Sequence, residues 1–369
     1  MVNPVINDVK LTIRRIRARA VSVPRPKAVA LGGGGVTHSA LILVDLETEQ
    51  GVTGSSYVYC TMPLAQKPVT QFLLGLSDPL QGESALPFAL RENLNRRFRL
   101  LGTQGVTALV LSALDIASWD ALTKAANLPL VRFLGGEPRR IPAYTSFGIG
   151  LIGPERAARG ACSLLEPGFG ALKVRLGYPN LGAEIDLIRA VRQSVGDEIK
   201  LMCDYNQSLT VQEAIRRCRR LDDEELVWIE EPTLATNYEA LAAVAREAKT
   251  PIQAGENCWS PMEMSRSLAI GAADFFMPDA SRIGGVTGWM QASALADANG
   301  VPLSSHLMPE LSAHLLSVSP TCHWLEYVDW ASPILKEPLQ IDSGFAVVSD
   351  SPGIGLDWNE SAVQQYLVT

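Results

Sequence analysis

Apolar residues change their spacing along this chain, and the changes mark where elements begin and end. Over residues 40–59 (ALILVDLETEQGVTGSSYVY) two β-rich runs flank a polar turn, which predicts a hairpin. Over 104–126, Val106, Leu109, Val110, Ala113, Leu114, Ala117 and Leu122 recur at near-helical spacing, and Asn127 followed by Pro129 stops the pattern. Strands first and a long helix after predict a separate α+β domain. Near residue 140 the style changes. Short apolar runs at 141–147, 171–176, 200–205, 226–232, 251–256, 275–279, 301–306 and 323–327 alternate with helical stretches. Between the second and third runs, Ile185, Leu187, Ile188, Val191 and Val195 form the apolar face of a helix, with Gly196 at its C-terminal cap. Eight strands alternating with helices predict a parallel sheet closed into a β/α barrel rather than an open doubly wound sheet. The last helix is missing or replaced, because loops and a strand-like stretch at 341–349 follow the eighth strand. The expected divisions are 1–138, 139–335 and a C-terminal segment, 336–369, that returns to the first domain.

Composition narrows the classes. The chain has 369 residues, 47% hydrophobic and 19% charged, which is enough apolar material for a buried core and excludes disorder as the main state. A net charge of −7 without a basic stripe argues against nucleic acid as a partner. It leaves an anionic small substrate open, since a local cluster decides that. With no run of about 18 apolar residues, no membrane span is expected. The first residues lack an apolar signal core, and Cys60, Cys162, Cys203, Cys218, Cys258 and Cys322 are scattered without a CxxC. Both features predict a cytoplasmic protein with reduced thiols.

The candidate chemistry sits at the strand ends. Lys173 and Arg175, Asp204, Glu230, Glu256, Asp279, His306 and Glu326 close successive apolar runs, one per β/α unit. In a β/α barrel the C-terminal strand ends converge on one active site, so this linear pattern predicts a cluster. Asp204, Glu230 and Glu256 on adjacent strands cannot all be ionised together without a cation. An all-oxygen set suits Mg²⁺, with Mn²⁺ as the alternative. Glu231 should point to the opposite face of its strand and serve structure, and Pro232 ends that strand. Lys173 and Arg175, two apart, share a face, and two cations beside a metal call for an anionic substrate. Asp279 and His306 end consecutive strands, and a carboxylate on one imidazole nitrogen raises the basicity of the other, a general-base arrangement. Glu326 would hydrogen-bond a developing oxyanion if it stays protonated. His314 and His323 make no zinc spacing. Gly32–Gly35 lacks the GK[ST] of a phosphate loop and reads as a flexible loop or a mobile lid.

The stretches KVRLGYP, DYNQSL, WIEEPT, GEN, MPDASRIGGVTGW, SSHL, SAHLL and HWLE, with ALDIASWDAL before them, resemble the enolase superfamily, and the mandelate racemase branch of its mandelate racemase/muconate lactonizing enzyme family closely. The resemblance covers nearly the whole chain. It implies an α/β fold: a modified TIM barrel, (β/α)7β, under an N-terminal α+β capping domain. It further implies Mg²⁺ held by Asp204, Glu230 and Glu256, the Asp279–His306 pair as acid/base, and Glu326 as donor to a substrate carboxylate that Lys173 neutralises. Tyr57, Ser146 and Asn206 are implied to line the pocket. The implied partners are a small-molecule carboxylate and further copies of the chain, as a homo-oligomer with an octamer as one form.

One departure bears on the reaction. The racemase that gives the branch its name carries Lys-x-Lys where this chain has Lys173-Val174-Arg175, and there the second lysine is the base on the opposite face of the substrate. Holding a guanidinium neutral near pH 7.5 costs about five pK units, roughly 7 kcal/mol. Two-base racemisation is therefore disfavoured, whereas one-base chemistry from His306 is not. The expected activity is removal of the proton α to a carboxylate through an enediolate, with dehydration of a hydroxy or sugar acid to a 2-keto acid slightly ahead. Racemisation of a mandelate-like acid is the alternative, because Leu307, Val328 and the small residues Ala28 to Gly35 suit an apolar tail. A catalytically silent homologue that binds metal and carboxylate is the reading from another class.

Overall fold

A computed structural model describes residues 10–25 and 37–368. The glycine run at 32–35 and the lid expected there lie outside the described residues. Strands β1 (Ile13–Pro24), β2 (His38–Thr48) and β3 (Thr53–Cys60) form an antiparallel sheet in that order. The predicted hairpin is β2–β3, with Leu43 opposite Tyr57. The helix Val106–Ala125 lies against it at backbone contact. Gly54 on β3 permits this, since a Cβ there would sit 1.8 Å from the carbonyl oxygen of Ala117. The Ser56 hydroxyl donates to the Ala113 carbonyl at 2.7 Å. Among the described residues this is the one helix long and apolar enough to cross a membrane, yet 78% of its most apolar window is buried inside the protein. Its apolarity serves the core.

The barrel begins with β4 (Arg140–Ile149), β5 (Ala171–Arg175), β6 (Lys200–Asp204), β7 (Ile229–Glu230), β8 (Ile252–Ala254) and β9 (Phe275–Phe276), all parallel in chain order. Parallel bridges Phe276–Leu303 and Leu303–Cys322 carry the sheet through a seventh, irregular segment. The eighth strand, β10 (Leu325–Tyr327), pairs parallel with β4, Leu325 opposite Ala143, and closes the circle. The helix Leu181–Val195 has the predicted form: the Asn180 side chain caps its start, and Gly196, at φ 88°, ends it.

After β10 the chain makes no further barrel helix. A hairpin of β11 (Gln340–Asp342) and β12 (Phe345–Val347) adds antiparallel to β4, Phe345 opposite Pro142. This strand-like stretch thus belongs to the barrel's rim. The chain beyond it runs onto the first sheet and its helix. The Ile354 N–H donates to Asp120, the Trp358 indole donates to Asp45, and the Val368 N–H donates to the Ala20 carbonyl.

Candidate active site

Parallel register brings the strand ends to one level. Arg175 stands opposite Asp204, and Asp204 opposite Glu230. Asp279 and His306 are paired directly by an isolated parallel bridge. Beneath them Tyr144 and Trp228, both fully buried, pack edge to face with centroids 5.3 Å apart. This floor excludes water from below, and the Trp228 indole donates to Glu230 at 3.2 Å.

Lys173 is the hub on one side. Its Nζ lies 2.6 Å from Glu230 Oε1, 3.0 Å from Glu326 Oε1 and 3.7 Å from Asp204 Oδ2. Burial opposes its charge, but Glu230 and Glu326 outweigh burial and hold the ammonium form. His306 is the hub on the other side. Its Nδ1 meets Asp279 Oδ2 at 2.8 Å, and its Nε2 meets Glu256 Oε2 at 3.0 Å and Glu326 Oε2 at 3.8 Å. Burial would keep the ring neutral, but Glu256 and Glu326 overcome that and raise its pKa well above the ordinary value. Burial pushes Glu230 and Asp204 upward, Lys173 notwithstanding. Glu256 goes the other way, because His306 and Arg282 overcome burial.

The strand-end residues Lys173, Asp204, Glu230, Glu256, Asp279, His306 and Glu326 are all buried and all within this network. Arg175 stands at the same end but is exposed. Lys173 and His306 overcome the burial of Glu326 and lower its pKa, and Glu326 accepts the Leu307 N–H at 3.1 Å. One expectation needs correction. Glu231 does not turn away from the site. The strand ends at Glu230, Glu231 adopts φ 34°, and Asn257 Nδ2 bridges it to Glu256 at 2.9 and 3.1 Å. Burial, with Glu256 adding, pushes Glu231 up to about 8. Tyr57, expected to line the pocket, is buried and donates its hydroxyl to Glu310 at 3.1 Å. Asn206 is exposed, and it is its backbone N–H that meets Asp204, at 2.6 Å. Ser146 sits half-buried on β4.

Sequence reasoning missed Ser281, Arg282 and Asn257. Ser281 donates from both its N–H (2.7 Å) and its hydroxyl (2.6 Å) to Asp279 Oδ1. Arg282 donates to the Glu256 carbonyl at 3.1 Å and to Asn257 Oδ1 at 2.8 Å. The signal was available: the strand-end aspartate, Asp279, opens an Asp-x-Ser turn with arginine next.

The donor set fits a divalent metal. Six buried carboxylates (Asp204, Glu230, Glu231, Glu256, Asp279 and Glu326) face three cationic groups, Lys173, Arg282 and His306, in one site. Such an excess of buried carboxylates over cationic groups calls for a further cation if they are to ionise together. Among the described residues no three acidic, histidine or cysteine side chains are gathered at metal-holding distance. Lys173 and His306 instead draw Glu230 and Glu256 to themselves, and a cation taken up by Asp204, Glu230 and Glu256 would replace those two ion pairs.

Residues 156–362 match the family profile described as enolase C-terminal domain-like, and residues 13–135 match the mandelate racemase / muconate lactonizing enzyme N-terminal domain. The chain belongs to the mandelate racemase/muconate lactonizing enzyme family of the enolase superfamily. The fold is that of the family, a capped (β/α)7β barrel, and the chain is an enzyme of the superfamily's dehydratase and isomerase kind. It is similar to the L-talarate/galactarate dehydratase of Salmonella typhimurium, 31% identical over 89% of this chain and 82% of that protein. Among solved structures it is similar to an enolase from Bradyrhizobium complexed with magnesium and mandelic acid (43% identity, TM-score 0.91, 98% of this chain and 99% of that one). It is also similar to L-talarate dehydratase from Polaromonas sp. JS666 complexed with Mg and L-glucarate (30% identity, TM-score 0.86, 97% and 98%). Magnesium is thus the metal in these solved members of the family.

Proposed function

We propose that this chain removes the proton α to the carboxylate of a 2-hydroxy or sugar acid, with His306 as the base and Mg²⁺ held by Asp204, Glu230 and Glu256. The observation that carries the reading is the 2.8 Å contact between Asp279 and His306 Nδ1, which leaves Nε2 facing the carboxylate cluster. Asp279 fixes the tautomer, so Nε2, once released from its ion pair with Glu256, is the atom that takes the proton. Lys173, buried and cationic, neutralises the substrate carboxylate and the negative charge that grows on it. Magnesium, when bound, supplies the positive charge that makes a carbon acid beside a carboxylate acidic enough for an imidazole. Glu326 closes the pocket beside Lys173 and His306, and it becomes a donor to the substrate once it gains a proton. The family relatives that take galactarate and L-glucarate support this substrate class.

Dehydration is the favoured outcome. Where C3 carries a hydroxyl, the imidazolium returns its proton to that leaving group, water departs, and the enol becomes a 2-keto acid. Arg175 supports this reading because the opposite face then needs no base. Racemisation is the second reading, favoured by a cavity of about 200 Å³ beside the dyad, where Met62, Val69, Leu109 and Leu307 accompany Asp279. An apolar tail fits such a wall, and the Bradyrhizobium relative holds mandelic acid. Cytoplasmic placement and a homo-oligomeric state remain parts of the proposal.

The test is a panel of 2-hydroxy acids with Mg²⁺ in D₂O, following the α-proton by NMR. A keto-acid signal means dehydration, and loss of the α-proton signal alone means exchange or racemisation. No change with any acid would leave only a silent binding homologue. His306→Asn should abolish every change, and full activity in that variant would refute the assigned base.

A further inference from the structure

We infer that the junction between the first domain and the barrel holds a second binding site, for a small organic acid that carries carboxylates on an apolar body. A cavity of about 440 Å³ opens there, a volume usual for small-molecule sites. None of Lys173, Asp204, Glu230, Glu256, His306 or Glu326 lines it. Its walls are the helices Pro87–Phe98 and Val106–Ala125 on one side and the barrel loops at Trp259 and Arg282 on the other.

Three arginines line this cavity. Arg282 is committed to Glu256 and Asn257. Arg91 reaches only neutral oxygens, the Gly284 carbonyl at 3.5 Å and Gln291 Oε1 at 3.3 Å. Among the described residues neither Arg91 nor Arg99 is paired with a carboxylate. The single acid on the wall, Asp115, is turned into the start of the helix Gly285–Ala298, where it accepts the Thr287 N–H at 3.0 Å and the Thr287 hydroxyl at 2.5 Å. Ser112, also on the wall, is fully buried, and its hydroxyl has no partner among the described residues. Leu90, Leu94, Leu111 and Ile283 supply apolar surface between these groups. Arg91, which feels the charge of Asp115 but makes no ion pair with it, and Arg99 stand beside apolar walls and favour a carboxylate, which each can grip through two parallel hydrogen bonds. Trp259 and Arg282 also wall the smaller cavity beside the dyad. An acid in the junction therefore touches the guanidinium that holds the Glu256 carbonyl, and the two sites share a wall.

The experiment is titration calorimetry of the magnesium-loaded full chain with adipate, an apolar chain with a carboxylate at each end. Saturable binding is expected. Arg91→Ala/Arg99→Ala should weaken it about tenfold or more, whereas Lys173→Met, which alters only the strand-end site, should leave it unchanged. If the double variant does not fold, Arg99→Glu at an exposed position reverses the charge and should weaken binding likewise. No saturable heat up to about 10 mM adipate would overturn the proposal. So would full binding in the arginine variants, or loss of binding in Lys173→Met, which would move adipate to the strand-end site.

Discussion

Asp279 Oδ2 lies 2.8 Å from His306 Nδ1, and the other oxygen of Asp279 is fixed by the N–H and hydroxyl of Ser281. The carboxylate therefore cannot swing away from the imidazole. Asp279→Asn keeps the shape but removes the charge, and its amide can donate to Nδ1 and leave the proton on Nε2. We expect α-proton exchange to fall by about 10- to 100-fold or more, measured in D₂O at saturating acid. An unaltered rate would remove Asp279 from the mechanism.

Arg175 stands opposite Asp204 in register and is exposed, at the position where the sequence comparison expects the second lysine of the racemase that names the branch. Arg175→Lys restores a group that loses a proton far more readily. Racemisation should appear or rise in this variant, as read by polarimetry with one enantiomer of each acid. If nothing is gained, the limit lies in the shape of the pocket.

Removal of the metal should cost stability as well as activity. The excess of buried carboxylate over cation around Glu230 is relieved by a divalent ion bound only to the folded chain. At about a hundred times its Kd, such an ion adds roughly 2.7 kcal/mol. Magnesium should therefore raise the melting temperature of EDTA-treated protein. Glu230→Gln should lose most of that rise, and an equal rise in the variant would count against Glu230 as a ligand.

Away from the strand ends, Glu310 gives a pH signature. Burial, with Asp329 adding, pushes it from 4.5 up to about 7, although Tyr57 donates to it. Between those values the folded chain keeps a proton that the unfolded chain has released. Stability from this group is thus highest below pH 4.5, falls as pH rises to about 7, and stays low above it. The full loss is about 3 kcal/mol. Glu310→Gln should flatten that slope in urea unfolding series from pH 4.5 to 8, and an unchanged slope would assign it to other groups.

The strand-end cluster was legible because most barrel strands carry a polar residue at or just past their end, and parallel register converts near-equal spacing into a shared level. The hairpin of β2 and β3 was legible because its two runs are adjacent in sequence. Glu231 was not, since alternation holds only while the strand continues, and β7 stops at Glu230. Arg282 lies past a strand end, where the turn decides its direction. Tyr57 finds its partner on the helix Pro309–Ser317, and no local pattern reveals a contact that distant in the chain.

The Ser22 N–H donates to the Tyr366 carbonyl, and the Val368 N–H donates to the Ala20 carbonyl. In the order of synthesis, β1 leaves the ribosome early, but the segment that completes its hydrogen bonding is made only after the whole barrel. The first sheet must therefore wait through translation of the whole barrel with that edge open to other pairings. A chaperone or a nascent neighbour has its best opportunity in that interval, and polypeptides cut short by a premature stop would carry the same raw edge permanently.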